Sequence, residues 1–340
     1  MALLVVTDTR FIDHDAGAHH PERPARLTAV LEGLRHHGLD EALVVTDPRP
    51  ATRDELVEVH RPELIDSIEV LCATGGGAID SDTVAVPASW DAARLAAGAG
   101  LTAVEWLDAG EADAAFCAVR PPGHHATRDV AMGFCLMNNV AVVAAHLAAR
   151  GERVVIADFD AHHGNGTQDV FFGDERVMFV SWHQWPLYPG TGRIEETGSG
   201  AGRGSTINIP LPSGATAEHY RRSLTEVVAP AVGAFAPTWL LVSAGFDAHR
   251  DDPLTSLGLT AADFADLTTE LTSLVPPRRV IAFLEGGYDL DALGVSAAAT
   301  AGALIGERVR PEPASGGGPG TEHVDRLVEF HRREGVLALR

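Results

Sequence analysis

Short runs of β-branched and other apolar residues alternate along this chain with longer stretches whose apolar positions recur every three to four residues. Runs of the first kind suit strands and stretches of the second kind suit amphipathic helices. Strands are predicted over Leu3–Thr7, Ala114–Val119, Arg153–Phe159, Val177–Ser181, Thr206–Ile209, Trp239–Ser243 and Val280–Leu284. Helices are predicted over Arg23–His37, Trp90–Asp108, Met137–Arg150, Ala217–Phe235, Ala261–Leu274 and Leu290–Ile305. The segments VVIADF, WLLVS and VIAFL are apolar on both faces, as strands of a parallel sheet covered on both sides are. No repeat or composition shift divides the chain. Residues 1–340 are therefore expected to form one α/β domain, a mainly parallel central sheet flanked by helices on both faces. The Pro-, Gly- and Ser-rich stretch 311–320 reads as a loop before a short C-terminal helix at His323–Arg333.

In such a sheet, ligands bind beyond the carboxyl ends of the strands. Four polar clusters fall there: RPPGHH after Val119, DFDAHHGNG at Phe159, AGFDAHRDD after Ser243 and EGGYD after Leu284. Alternation along an extended backbone puts Asp158, Asp160 and His162 on one side, where a carboxylate and an imidazole can converge on a cation. The plainer reading is that they are strand-end polar residues capping a neighbouring helix. An unpaired carboxylate buried at the end of so apolar a run is costly, which favours the metal.

Asp247 ends another buried strand at the same edge and supplies a third ligand. Asp-His-Asp with one open position fits a catalytic zinc centre, and ferrous iron accepts the same donors. Two residues beyond His162 and Asp247 stand Gly164 and His249 rather than carboxylates, so one metal per chain is expected. His124 and His125 lie in a loop fixed by Pro121, Pro122 and Gly123, where both can face a pocket and one can act as general base. The alternative of two surface histidines is accepted for His36 and His37. Tyr288, after Gly286 and Gly287, can donate to a developing oxyanion, although a tyrosine after a glycine turn is more often packing.

A net charge of -21 with pI near 5.1 argues against direct nucleic-acid binding, which needs a basic face. No apolar run approaches the roughly 20 residues of a membrane span. Cys72, Cys117 and Cys135 are odd in number and lack metal-ligand spacing, as in a reduced, cytoplasmic protein. The N-terminal run reads as a buried first strand rather than a signal peptide. Every basic residue is Arg, which we read as base composition of the coding genome.

Taken in order, RPPGHHA, DFDAHHGNGTQ, HQWPLYPGTG, SAGFDAHRDDPL and EGGYD resemble the histone deacetylase family, including its bacterial amidohydrolase and acetoin-utilisation-type relatives. The likeness runs from HHPERPARL at His19–Leu27 to about Ile305 and is closer to class II than to class I. It implies the arginase/deacetylase fold, with Asp160, His162 and Asp247 as zinc ligands, His125 as general base and His124 as its electrostatic partner. It further implies Tyr288 as the transition-state tyrosine and Asp158 as the carboxylate supporting His124. Gly133 and Phe134 match one wall of an acyl-lysine channel, Tyr188 the opposite wall, and Asp82 lies near the rim residue that clamps substrate backbone. The family's structural potassium maps to Asp158, Asp160, His162, Ser181 and Trp182, and a second potassium site to Phe171, Asp174 and Val177.

Two departures bear on chemistry. Asn165 stands where class I enzymes carry an aspartate, so the His125 imidazolium has a neutral partner. Leu254 stands where polyamine-preferring relatives carry a gatekeeper glutamate. The resemblance thus implies hydrolysis of an acyl-lysine peptide or protein, or of a small acetylated amine, by a chain whose sequence is compatible with a homo-oligomer. An acetylpolyamine amidohydrolase, an arginase-like ureohydrolase and a catalytically silent acyl-ligand sensor are the rival readings.

Overall fold

The protein is described from a computed structural model covering residues 1–334. Residues 335–340 of the expected domain lie outside the described residues. Eight strands form one sheet: β1 Leu3–Val6, β2 Leu43–Thr46, β3 Ala114–Cys117, β4 Val154–Asp158, β5 Val177–Gln184, β6 Thr206–Leu211, β7 Trp239–Ala244 and β8 Val280–Leu284. Every pairing is parallel, in the order β2-β1-β3-β8-β7-β4-β5-β6. Strands β3, β4, β7 and β8 are buried throughout, because helices cover both faces of the sheet.

The helices are α1 Ala25–His36, α2 Arg53–Val57, α3 Pro62–Ala73, α4 Ser89–Ala109, α5 Asn139–Ala149, α6 Asn165–Phe171, α7 Ala217–Ser223, α8 Ala229–Phe235, α9 Ala261–Thr272, α10 Leu290–Leu304 and α11 Thr321–Arg333. Helix α5 packs on α4 and α6, while α10 packs on α1 and α9, and α9 on α7. Small residues bring neighbouring elements close. A Cβ at Gly33 of α1 would lie 2.2 Å from the Gly294 carbonyl of α10, and one at Gly100 of α4 would lie 2.4 Å from the Phe283 ring.

All seven expected strands and six expected helices form, with shifted ends. Strand β2 was not anticipated: it is an edge strand whose Val45 is 60% exposed, so its pattern lacks the unbroken burial of the central strands. Helices α2, α3 and α6 were also unassigned. The continuous helix expected over Ala217–Phe235 contains a π-helical stretch at Leu224–Val228 between α7 and α8. Pro230 explains it: the ring supplies no N–H and crowds the carbonyl four residues earlier, so the turn before it widens. Residues 311–320 hold no helix or strand, and α11 follows them.

Candidate metal and hydrolytic site

The four polar clusters follow β3, β4, β7 and β8, which are neighbours at the centre of the sheet. Parallel pairing sets the ends of these strands level, so their loops meet over one patch. Asp158 closes β4 opposite Ser243 of β7 and Ser181 of β5.

The ligand group assembles differently from the expected alternation. Ladder pairing stops at Asp158, and the chain then steps forward through side-chain caps of its own backbone. Asp158 Oδ1 accepts the Asp160 N–H at 3.1 Å, and Asp160 Oδ1 accepts the His162 N–H at 2.9 Å. His162 Nδ1 lies 3.2 Å from Asp160 Oδ1 and 2.8 Å from Asp247 Oδ2. One donor atom from each of the three falls within 4.8 Å of the others. The other Asp160 oxygen accepts the Gly286 N–H at 2.8 Å, and Asp247 Oδ1 accepts the Ala161 N–H at 2.7 Å. A Cβ at Gly286 would come within 2.6 Å of both carboxylates, so only glycine lets the β8 loop pass this close.

Two fully buried carboxylates thus share one imidazole. Burial and the neighbouring Asp160 push the Asp247 carboxyl up to about 7. Burial opposes the charge on His162, but Asp247 and Asp160 outweigh it and raise the ring to about 10. A hard or borderline divalent cation relieves this crowding of negative charge, and the O, N, O donor set suits zinc or ferrous iron. The residues fit the metal.

The histidine pair lies beside this group, its rings 4.0 Å apart. His125 Nδ1 is 2.7 Å from Asn165 Oδ1, which can only accept, so Nδ1 carries the proton and Nε2 keeps a free lone pair. Burial, reinforced by His124 and His162, holds His125 well below its ordinary value. His124 Nδ1 bonds Asp158 Oδ2 at 3.0 Å. Burial opposes its charge too, yet Asp160 and Asp158 hold it well above the usual range. Adjacent rings are thereby divided into a base and an acid.

Tyr288 is offered by the Gly286-Gly287 turn. Burial holds its phenol well above 10, so the O–H remains a donor. Phe134 meets Tyr288 edge-on at 5.9 Å, and Tyr188 meets the His125 ring at 5.2 Å and the His162 ring at 6.3 Å. Gly133, at φ 57°, lets its loop press on the His125 ring: a Cβ there would lie 2.4 Å from it. Asp82 is linked to Phe134 through His20, whose Nε2 bonds the Asp82 carbonyl at 2.9 Å and whose ring packs on Phe134 at 4.7 Å. Leu254 is 39% exposed at the outer end of the Asp247 loop. Of the potassium residues, Asp158 and Ser181 are cross-strand partners, and the Trp182 indole donates to Ser223 Oγ, which leaves its backbone carbonyl as the oxygen it has to offer. Phe171, Asp174 and Val177 form one turn, but both Asp174 oxygens are taken by Arg176.

The residues that shape the site from behind were not assigned from sequence. Arg26 sends Nε to the Gly287 carbonyl (2.7 Å) and a terminal nitrogen to the Glu285 carbonyl (2.5 Å), and its guanidinium lies 5.1 Å from the Tyr288 ring centre. Glu22 holds both Arg26 and Arg120, all three fully buried. Asp252 Oδ2 accepts the Tyr288 N–H at 2.7 Å. The signal for these was the charge inside HHPERPARL, RPPGHHA and SAGFDAHRDDPL, which supply Glu22 and Arg26, Arg120, and Asp252.

Comparison with known proteins shows the family and the fold. The histone deacetylase domain profile matches residues 20–304. A probable deacetylase of Archaeoglobus fulgidus is 41% identical over 293 residues, covering 84% of this chain and 81% of the relative. The polyamine deacetylase HDAC10 of Homo sapiens is 37% identical over 85% of this chain and 45% of its own length. The crystal structure of the HDA15 HD domain superposes with a TM-score of 0.91 at 36% identity, over 99% of this chain and 96% of that one. The fold is therefore of the arginase/deacetylase type, one α/β domain around a parallel sheet. The chain belongs to the histone deacetylase family and is a hydrolase of the amidohydrolase kind. Among the described residues, no helix is long and apolar enough to cross a membrane.

Proposed function

We propose that this protein removes acetyl or other acyl groups from lysine side chains, using one divalent ion held by Asp160, His162 and Asp247. The observation that carries the reading is the convergence of this donor set with the His124–His125 pair, beside the aromatic rings of Tyr288, Phe134 and Tyr188. Zinc is the family's usual metal. When bound, it would polarise the acyl carbonyl and acidify water. His125 Nε2, freed as a base by the Asn165 bond, takes the proton of the attacking water. Tyr288 donates its O–H to the oxyanion, and His124, charged by Asp158 and Asp160, protonates the departing amine. Phe134 and Tyr188 hold the alkyl stem of the lysine and exclude water. Leu254 offers no carboxylate to a second ammonium, which favours acyl-lysine over acetylpolyamine.

A structural potassium at Asp158, Asp160, His162, Ser181 and Trp182 belongs to the same reading and rests on the pairing of Asp158 with Ser181. The test is a panel of acetyl- and longer-acyl-lysine fluorogenic substrates, assayed with and without chelator, beside Tyr288→Phe. Chelator-sensitive turnover, reduced about 10²–10³-fold by Tyr288→Phe, is expected. Turnover indifferent to chelator, or release of urea from guanidino substrates, would overturn the proposal.

A further inference from the structure

The stretch Pro311–Gly320, expected as a plain loop, is a strap tied to two helix N-termini. Thr260 Oγ1 donates to the Pro313 carbonyl at 2.9 Å, and the Ser315 N–H bonds Asp263 at 3.1 Å. Ser315 Oγ accepts the Ala217 N–H at 3.1 Å, and the Gly317 carbonyl accepts Thr216 Oγ1 at 2.6 Å. The strap thereby joins the starts of α7 and α9, and it lies beyond the stretch matched by the family profile.

Glu312 is the strap's contact with the site. His249, two residues past Asp247, is 2% exposed. Its Nδ1 accepts the Asp251 N–H at 3.2 Å, so Nε2 carries the proton and donates to Glu312 Oε2 at 2.9 Å. The same oxygen accepts the Ala261 N–H at 2.9 Å, and Oε1 accepts from Arg250 at 2.7 Å. His249, Asp251 and Glu312 also have donor atoms within 4.8 Å of one another. A second metal is disfavoured there, because three N–H donors, one cationic, already occupy the Glu312 carboxylate.

What Glu312 secures is a loop with three duties. It carries Asp247, whose carbonyl accepts the Thr255 hydroxyl; it carries Asp252, which bonds the N–H groups of Leu254 and Tyr288; and it ends at Ser256, which donates to Gln184 Oε1. We infer that Glu312 is a positioning residue for the proposed metal site, fixing the Asp247 loop through His249. The inference rests on the functional reading above. Groups hydrogen-bonded directly to a metal ligand change metal affinity about 10–100-fold when removed; Glu312 acts one residue further out, through the loop, so the low end of that range applies.

The experiment is competition for Zn2+ between the protein and a chromophoric chelator, with kcat and KM measured alongside. Glu312→Ala and Glu312→Asp, which cannot reach His249, are expected to weaken zinc binding about tenfold and lower kcat more than they raise KM. Glu312→Gln keeps an accepting oxygen and is expected to stay within about threefold. Ser315→Ala removes a strap tie without touching Glu312, and is expected to lower the melting temperature while zinc affinity holds. Should Glu312→Ala not fold, Glu312→Asp alone decides. Unchanged zinc affinity in the Glu312 variants, or an equal loss in Ser315→Ala, overturns the inference alone. Failure of the unmodified protein to bind zinc overturns the functional reading with it.

Discussion

Glu285 Oε2 accepts the backbone N–H of Gly123 at 2.7 Å, joining the β8 loop that presents Tyr288 to the β3 loop that presents the histidine pair. The same oxygen accepts the His124 N–H at 3.2 Å, and Oε1 accepts the Ser243 hydroxyl at 3.3 Å. One buried side chain thus registers the ends of three neighbouring strands. Glu285→Ala leaves two buried N–H groups unpaired and is expected to lower stability by about 3 kcal/mol. Glu285→Gln keeps the acceptor and is expected to cost about 1 kcal/mol or less. Urea denaturation distinguishes the two, and equal losses would deny Glu285 this role.

Asn165 sets the protonation of the proposed base. His125 is already held low by burial and by its positive neighbours, so the acid limb of kcat/KM should lie below the ordinary histidine value. Asn165→Asp puts a negative charge on the Nδ1 proton and favours the imidazolium. The base must be neutral to work, so raising its pKa moves the acid limb to higher pH. A pH profile of both proteins should show that upward shift; a downward shift or none would remove Asn165 from the proton economy of the site.

Glu22 ties acid stability to the Tyr288 turn. Burial opposes its charge, but Arg120 and Arg26 outweigh that and hold the carboxyl at about 2, below its ordinary 4.5; His14 Nε2 faces it as well, at 3.5 Å. Because the folded-state value is depressed, the contribution is complete above about pH 4.5 and is lost as pH falls toward about 2. Glu22→Gln leaves two buried guanidinium groups without a counter-charge and is expected to cost about 3–5 kcal/mol at neutral pH. Its denaturation midpoint should also fall less steeply than that of the unmodified protein between pH 5 and about pH 3. Parallel pH curves for the two would exclude the linkage.

The central strands were legible because burial on both faces leaves an unbroken apolar run, as in Val154–Ala157 and Val280–Leu284. The site was legible for the same reason: Asp158, Asp160 and Asp247 are polar where such runs end. Edge strand β2 was not, since Val45 faces solvent and its run reads as an ordinary surface segment. The path from Asp158 to His162 was misread as extended, because the side-chain caps that step it forward need no particular hydrophobic period. Arg26, Glu22, Glu285 and Glu312 escaped notice for a related reason. Glu22 and Arg26 pair locally, but what they and the others hold lies far off in sequence: 98 residues for Glu22–Arg120, 261 for Arg26–Gly287, 162 for Glu285–Gly123 and 63 for Glu312–His249.

Leu254 gives the sharpest test of substrate class. Its side chain is 39% exposed at the outer end of the Asp247 loop, so a carboxylate there meets water rather than the core and should leave the fold intact. Its N–H is held by Asp252 Oδ1 at 2.9 Å, a backbone contact that any residue keeps. Leu254→Glu adds one negative charge at the exposed end of the Asp247 loop, seven residues past the proposed ligand. A partly exposed pair of opposite charges contributes about 1 kcal/mol, or roughly a fivefold change in an equilibrium constant. The ratio of kcat/KM for N-acetylated polyamine over acetyl-lysine peptide is therefore expected to rise about fivefold in Leu254→Glu, and to fall back as salt screens the attraction. A ratio that stays level, or a rise that salt does not erode, would mean that position 254 does not read the distal charge of the substrate.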